Sequence, residues 1–517
     1  MTKWLVGLMA GTLCAAIAGP AEAKWLRADT DNFIIFSEGS EKSLRDFADK
    51  LERFDATLRM RFGFSHERAP NRLTVYLVER ATDAGKLTAG RLGPNVAGFY
   101  VAHREGSFAV SHRETNGIKG TPEWQQTLFH EYSHHFMMRY LTAAFPAWFV
   151  EGFAEYYSTT DFTKEGKAEI GKAPYGRAYG LLEMPKIPAE KLLLQEPSAM
   201  RSAGQADVYY GRAWLLTHML LNDPAREGQL GSYIRAINKG VDAKKAATEA
   251  FGDLSELDRA LNRYLDRRLA YHTTGASIPV AGPIAVTVLS AGDAAIVPLQ
   301  LERKSANGDE ALLVKIRDAL AALAALHADD AGIWYELAMT EWSRGEKKRD
   351  LGTARAAVDK ALALEPKHVR ANVLLGRIMM ADLRAKDNPS AAEWSAARKP
   401  IILANRTDPD DPMPLLAYYE SFLGQRSALP DIAIDGLARS FELAPENVGV
   451  RISYIFALVD RGEFDTAIQL AKSVAFDPHG NGDELALLER IEAAKARRDG
   501  KKADTGDVPA TVPAPAQ

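Results

Sequence analysis

Cysteine is nearly absent from this 517-residue chain, and its one copy is Cys14. An internal disulfide framework and a cysteine-based zinc finger are both excluded. A metal site would have to be built from His, Glu and Asp. Neither sign of charge is in excess. Lys plus Arg total 64 against 68 for Asp plus Glu, a net charge of -4. That balance offers no basic face to phosphates and argues against nucleic acid as a partner. Long apolar runs are missing after Ala18, so no stable membrane span is expected once the N-terminal leader is removed. A Gly-rich phosphate loop and a Gly-x-Ser-x-Gly elbow are also missing, which leaves nucleotide and serine-hydrolase chemistry without support. What remains is an ordinary globular mix, 46% hydrophobic and 26% charged. A largely disordered chain is excluded, and the length suits about three domains.

The first 23 residues read as an export signal. Lys3 supplies the positive charge, Trp4 to Ala18 the apolar run, and Ala21-Glu22-Ala23 the small-x-small cleavage site. The mature chain is expected to begin at Lys24 and to be periplasmic or secreted. Strands are expected at Asn32–Ser37, Arg72–Glu79, Ala97–Ala102 and Ser107–Ser111, from apolar runs and alternation. A helix is expected over Ser40–Arg61, with Leu44, Phe47, Leu51, Phe54 and Leu58 on one side. Thr121-Pro122-Glu123 is a helix start signal. That helix is expected to reach about Tyr140, and a second to run from Pro146 to Tyr157. Further helices are expected at Asp207–Leu221, Gly228–Asn238 and Asp253–Leu269. Strands followed by helices predict an α+β domain over 24–274.

Within the helix before Tyr140, His130-Glu131-Tyr132-Ser133-His134 is an HExxH pattern. Two histidines four apart lie one above the other on a helix face, so their imidazoles can take neighbouring corners of a zinc tetrahedron. Glu131, beside the first of them, is placed to act as general base toward a water at the metal. Adjacent His135 points about 100° away around the helix and reads as a packing residue. His103, His112 and His218 have no partner at metal-like spacing.

The following segment, Trp148-Phe149-Val150-Glu151-Gly152-Phe153-Ala154-Glu155-Tyr156-Tyr157, resembles the second zinc helix of gluzincins, W-L-x-E-G-x-A-x-Y. The resemblance implies an α+β zincin-like catalytic domain of the peptidase MA-like group, with Zn2+ held by His130, His134 and Glu151. Sixteen residues separate His134 from Glu151, enough for the first helix to end and a second to return antiparallel. Glu155, one turn beyond Glu151, then reads as a partner of a ligand histidine, or as an alternative third ligand. Tyr210-Gly211-Arg212-Ala213 resembles the Y-x-K-G-A pattern of aminopeptidase-type gluzincins and implies Tyr210 as oxyanion donor, with Tyr209 as fallback. Those aminopeptidases carry G-x-M-E-N on an edge strand ahead of HExxH. Here Ala97-Gly98-Phe99-Tyr100-Val101 has no acid, so endopeptidase action on a peptide or protein substrate is expected over aminopeptidase action.

A connector over 275–304 is expected to form a two-stranded β unit from Ile284–Leu289 and Ala294–Leu301. Beyond it the chain turns Ala/Leu-rich. Pro366, Pro409, Pro445 and Pro478 close similar segments at intervals of 43, 36 and 33 residues, near the roughly 34-residue period of helix–turn–helix repeats. Trp334-Tyr335-Glu336-Leu337-Ala338 and Arg461-Gly462-Glu463-Phe464-Asp465-Thr466-Ala467 resemble pieces of tetratricopeptide (TPR) repeats. That resemblance implies an all-α TPR-like helical repeat domain over 305–497, able to take a protein partner. Residues 498–517 read as a disordered tail. The expected function is zinc-dependent peptide hydrolysis; the alternative is a TPR-based binding or assembly factor with a weak or regulatory catalytic domain.

Overall fold

The computed structural model of the chain describes residues 25–88, 96–114, 121–194, 203–280, 282–425, 429–475 and 483–503. The leader and its cleavage site lie outside the described residues, as do Pro478 and residues 504–517. Among the described residues no helix is long and apolar enough to cross a membrane.

The N-terminal half begins with β1 (Leu26–Asp29), β2 (Phe33–Ser37) and α1 (Glu41–Phe62). Ser40 starts α1 by accepting a hydrogen bond from the Ser43 amide, and Gly63 ends it at a φ of 75° that a side chain would disfavour. The five apolar positions read from the sequence are all buried. Then come β3 (Leu73–Val78), α2 (Ala81–Leu87), β4 (Phe99–Val101), β5 (Phe108–His112), α3 (Glu123–Tyr140) and α4 (Ala147–Ser158). Three short strands, β6 (Asp161–Phe162), β7 (Ala168–Ile170) and β8 (His272–Thr273), make a second small sheet. Between β7 and β8 lie α5 (Ala178–Leu182), α6 (Ala189–Leu194), α7 (Ala203–Asn222), α8 (Gln229–Asn238), α9 (Ala243–Phe251) and α10 (Leu254–Leu265).

The connector differs from its expected form. Ala285–Val288 is a strand, β9, but it does not pair with a neighbour in the connector. It runs antiparallel to β1, with Leu26 opposite Val288 and Asp29 opposite Ala285. Residues Ala291–Ser305 form a helix, α11, not a second strand. Ser290 caps it through the Asp293 amide, and the helix carries Pro298 inside it. A short apolar run around an interior proline imitates a strand, and only packing decides between the two.

The main sheet has the order β4-β5-β3-β2-β1-β9, so β4 is an edge strand. Both faces of its middle are covered. Phe33, Ile35, Val75, Leu77 and Ala109 join the core shared with α1 and α3. There Phe54 of α1 stacks on Phe129 of α3 with ring centroids 3.9 Å apart. The opposite face, with Tyr76, Phe99, Phe108 and Val110, packs on Val297 and Leu301 of α11. Alternate residues of β5 thus go to different cores, which explains why the strand is buried throughout.

This second face makes a testable point about the expected boundary at 274. A chain ended there loses β9 and α11 and uncovers four large apolar side chains. Each was worth on the order of 1.5–3 kcal/mol buried. Residues 25–274 alone are expected to aggregate or bind a hydrophobic dye. A soluble fragment with one cooperative thermal transition would count against this account.

After α11 the chain is helical: α12 (Glu310–Leu326), α13 (Ala331–Ser343), α14 (Leu351–Leu364), α15 (Val369–Arg384), α16 (Ala391–Thr407), α17 (Pro412–Glu420), α18 (Asp431–Leu443), α19 (Val448–Arg461), α20 (Phe464–Ala475) and α21 (Asp483–Ala503). Each packs on the next. The prolines seen as a repeat mark stand just past the ends of α14, α16 and α18. The residues before them, Glu365, Asp408 and Ala444, leave helical geometry at ψ of 85°, 95° and 64°, as a following proline requires. They close the second helix of each pair. The last helix continues to Ala503, past the expected start of the tail at 498.

Candidate metal centre

Three helices build the centre. On α3, the one-turn spacing of His130 and His134 brings their Nε2 atoms to 3.1 Å of each other. From α4, Glu151 places Oε2 3.3 Å from His130 Nε2 and 3.8 Å from His134 Nε2. Glu151 is fully buried, while His130 keeps a partly exposed edge. The third helix, α7, packs closely against α4 at Gly152. A Cβ there would stand 2.2 Å from Thr217 Oγ1 and 2.6 Å from the Ala213 carbonyl oxygen. Glycine after Glu151 is thus what lets α7 come near enough to bring Tyr210 to the centre. The Tyr210 ring lies 6.0 Å from the His130 ring, centroid to centroid. Its neighbour Tyr209 is buried in the core, so of the two tyrosines α7 turns Tyr210 toward the histidines.

Glu155 sits on the other side of His130. Its Oε1 is 3.3 Å from Nδ1, the ring nitrogen pointing away from Glu151. It is placed to orient the imidazole from behind, as outer carboxylates do in metal sites. Arg177, in the 3-10 turn before α5, grips the same carboxylate oxygen at 2.6 Å and reaches Asp207 at 3.1 Å. Its guanidinium also lies over the Tyr210 ring, 5.0 Å from the centroid. Neither Arg177 nor Asp207 was expected from the sequence. Arg177 stands 22 residues beyond Glu155 in a short turn, and no local pattern marks it.

Electrostatics follow from this arrangement. Burial acts to remove the proton from His130, but Glu151 and then Glu155 outweigh it and push its pKa up to about 10. Burial likewise acts to raise Glu155, yet Arg177 and His130 hold it down to about 2. Tyr210 is pushed well above the ordinary phenol value, first by the charge of Glu151 and then by burial, so it keeps its proton and can donate it in a hydrogen bond. Glu131 follows His130 on α3, and its charge contributes to raising both His130 and Tyr210.

Two imidazoles and a carboxylate form the donor group that could hold a metal ion. Donors about 2.1 Å from a tetrahedral zinc stand about 3.4 Å apart. The observed separations of 3.1, 3.3 and 3.8 Å match that spacing. The residues present therefore fit a zinc ion.

His135, His218, His103 and His112 stand apart from the centre in packing positions. His135 is buried, its Nδ1 is 3.2 Å from the Tyr100 hydroxyl, and burial pulls its pKa down to about 4. His218 lies 2.9 Å from both the Tyr264 hydroxyl and the Ala270 carbonyl. His103 accepts from the Glu105 amide, and His112 is buried on β5.

The chain matches no protein-family model. No curated protein matches it either. Among solved structures, a thermophilic TPR protein of Thermus thermophilus aligns over its whole length with 39% of this chain, at 18% identity and a TM-score of 0.31.

Proposed function

We propose that this chain is a zinc-dependent peptidase, acting as an endopeptidase, with a TPR-like helical array. The observation that supports it best is the meeting of His130, His134 and Glu151 with Glu131 and Tyr210 at one partly open point. Zinc, when bound, supplies Lewis-acid activation of the carbonyl and of water. The chain's own residues do the rest. Glu131 takes the proton of the attacking water and passes it to the leaving amine. Tyr210 donates its hydroxyl proton in a hydrogen bond to the oxygen where negative charge develops. Glu155, held by Arg177, fixes the His130 ring. The edge strand β4, Phe99–Val101, offers backbone for a substrate to pair as an added strand. It carries no acid to fix a free amino terminus, which favours cleavage within a chain. Residues 1–23 serve export in this reading.

The test is to measure zinc and activity on one preparation. About one zinc per chain is expected, with cleavage of a mixed peptide library at internal bonds. A chelator should abolish that cleavage and added zinc restore it. A chain that neither retains zinc nor cuts any peptide would leave the binding-factor alternative standing.

A further inference from the structure

The turn between β4 and β5 is held by residues remote in sequence. Glu105 receives both terminal nitrogens of Arg303, on α11, at 2.7 and 2.8 Å. Arg303 is itself buried and also pairs with Glu336 of α13. Arg370, on α15, donates to the Glu105 carbonyl at 3.0 Å and is braced by Asp411 at 2.7 Å. Asn447, which caps α19, donates through Nδ2 to the carbonyls of His103 and Arg104, at 3.2 and 2.9 Å. The helices involved, α11, α13, α15 and α19, are alternate ones. They present one face of the array, the kind of surface that stacked helix pairs use to bind a ligand. Here the turn occupies it.

The same array also grips the end of the helix that carries the histidines. Arg139, in the last turn of α3, pairs at 2.7 Å with Glu446, whose side chain is fully buried. Arg451 of α19 donates to the Met138 carbonyl at 2.7 Å. Between these two anchorages, Tyr100 of β4 meets His135 of α3. Edge strand β4 and the helix that carries the histidines are thus both tied to the array.

We propose that the helical array is an intramolecular clamp whose ligand is the β4–β5 turn, with Glu105 as its anchor, and that it sets the position of edge strand β4 beside α3. The clamp rests on this geometry alone; its bearing on substrate binding rests on the peptidase reading. Glu105 and Asn447 are positioning residues, since neither touches the histidine centre.

Hydrogen–deuterium exchange on the full chain tests the clamp without any use of activity. The variants are Glu105→Gln, which removes the charge that Arg303 meets, and Asn447→Asp, which keeps a capping oxygen for α19 but removes the two donated bonds. Amides of 99–112 are expected to exchange at least tenfold faster in each, while those of α1 and of α12–α14 keep their rates. Unchanged exchange over 99–112 in both variants would overturn the clamp, and so would equal acceleration across the whole chain in both. If the wild type cleaves peptides, KM should rise several-fold in both variants, with kcat within twofold and zinc content unchanged. Faster exchange with KM unmoved would overturn the positioning role and leave the clamp. A wild type without activity but with the expected exchange would sink the peptidase reading alone.

Discussion

Replacing Glu131 with Gln is expected to leave the fold and the zinc content intact and to lower kcat on the order of a thousandfold, within the range a positioned general base supplies. The reason lies in where Glu131 stands. Among the described residues, the group that could hold a metal ion is His130, His134 and Glu151, without Glu131. Its charge is nonetheless felt by His130 and Tyr210. Glutamine keeps the size and a hydrogen-bonding oxygen but cannot take a proton from water. The measurement is steady-state hydrolysis of a peptide found by library profiling, alongside zinc analysis of the same sample. Full activity of Glu131→Gln would end the hydrolase reading. Loss of zinc with loss of activity would instead make Glu131 part of the site's scaffold.

Glu151→Ala is expected to weaken zinc binding well beyond the ~10–100-fold that removal of an outer partner costs. It deletes a carboxylate whose oxygen faces both Nε2 atoms. Two imidazoles alone are too few protein donors for a zinc site of this kind. Glu155→Ala is the matched control. Its carboxylate meets the rear nitrogen of His130 and the Arg177 guanidinium, so its loss should fall inside the ~10–100-fold range. Competition with a chromophoric chelator reads both affinities. If Glu155→Ala proved the more damaging, Glu155 would take over as the third ligand.

Much of the centre was legible in the sequence because helix pitch is local. A four-residue spacing fixes His130 against His134 wherever the helix goes. Glu151 and Tyr210 needed a resemblance, because their approach depends on how α4 and α7 pack. Gly152 is the residue that permits that packing, yet as a sequence signal it is only a glycine inside a helix. Arg177 was illegible: it stands in a turn, and its three partners come from α4 and α7. Strand β2 is legible as an apolar run and β3 as an alternation. Residues 284–289 are legible as extended but not their partner, since pairing with β1 crosses nearly the whole N-terminal half. Pro298 made α11 look like a strand, and only burial of Val297 and Leu301 against the sheet tells otherwise. Glu105 carries no mark in sequence because its partners lie hundreds of residues away.

The antiparallel pairing of β1 with β9 has a consequence for how the chain reaches its native state. Leu26 must wait for Val288, so the first strand synthesised is among the last to be enclosed. Closing a loop of roughly 260 residues costs about 5 kcal/mol of chain entropy, far more than a hairpin pays. Contacts of such long range delay folding. Until β9 arrives, one edge of β1 stays unpaired, and a waiting edge can join the wrong strand or another chain. Nascent chains shorter than about 288 residues are the ones most exposed to that error, and a chaperone that covers the N-terminal edge would help them most.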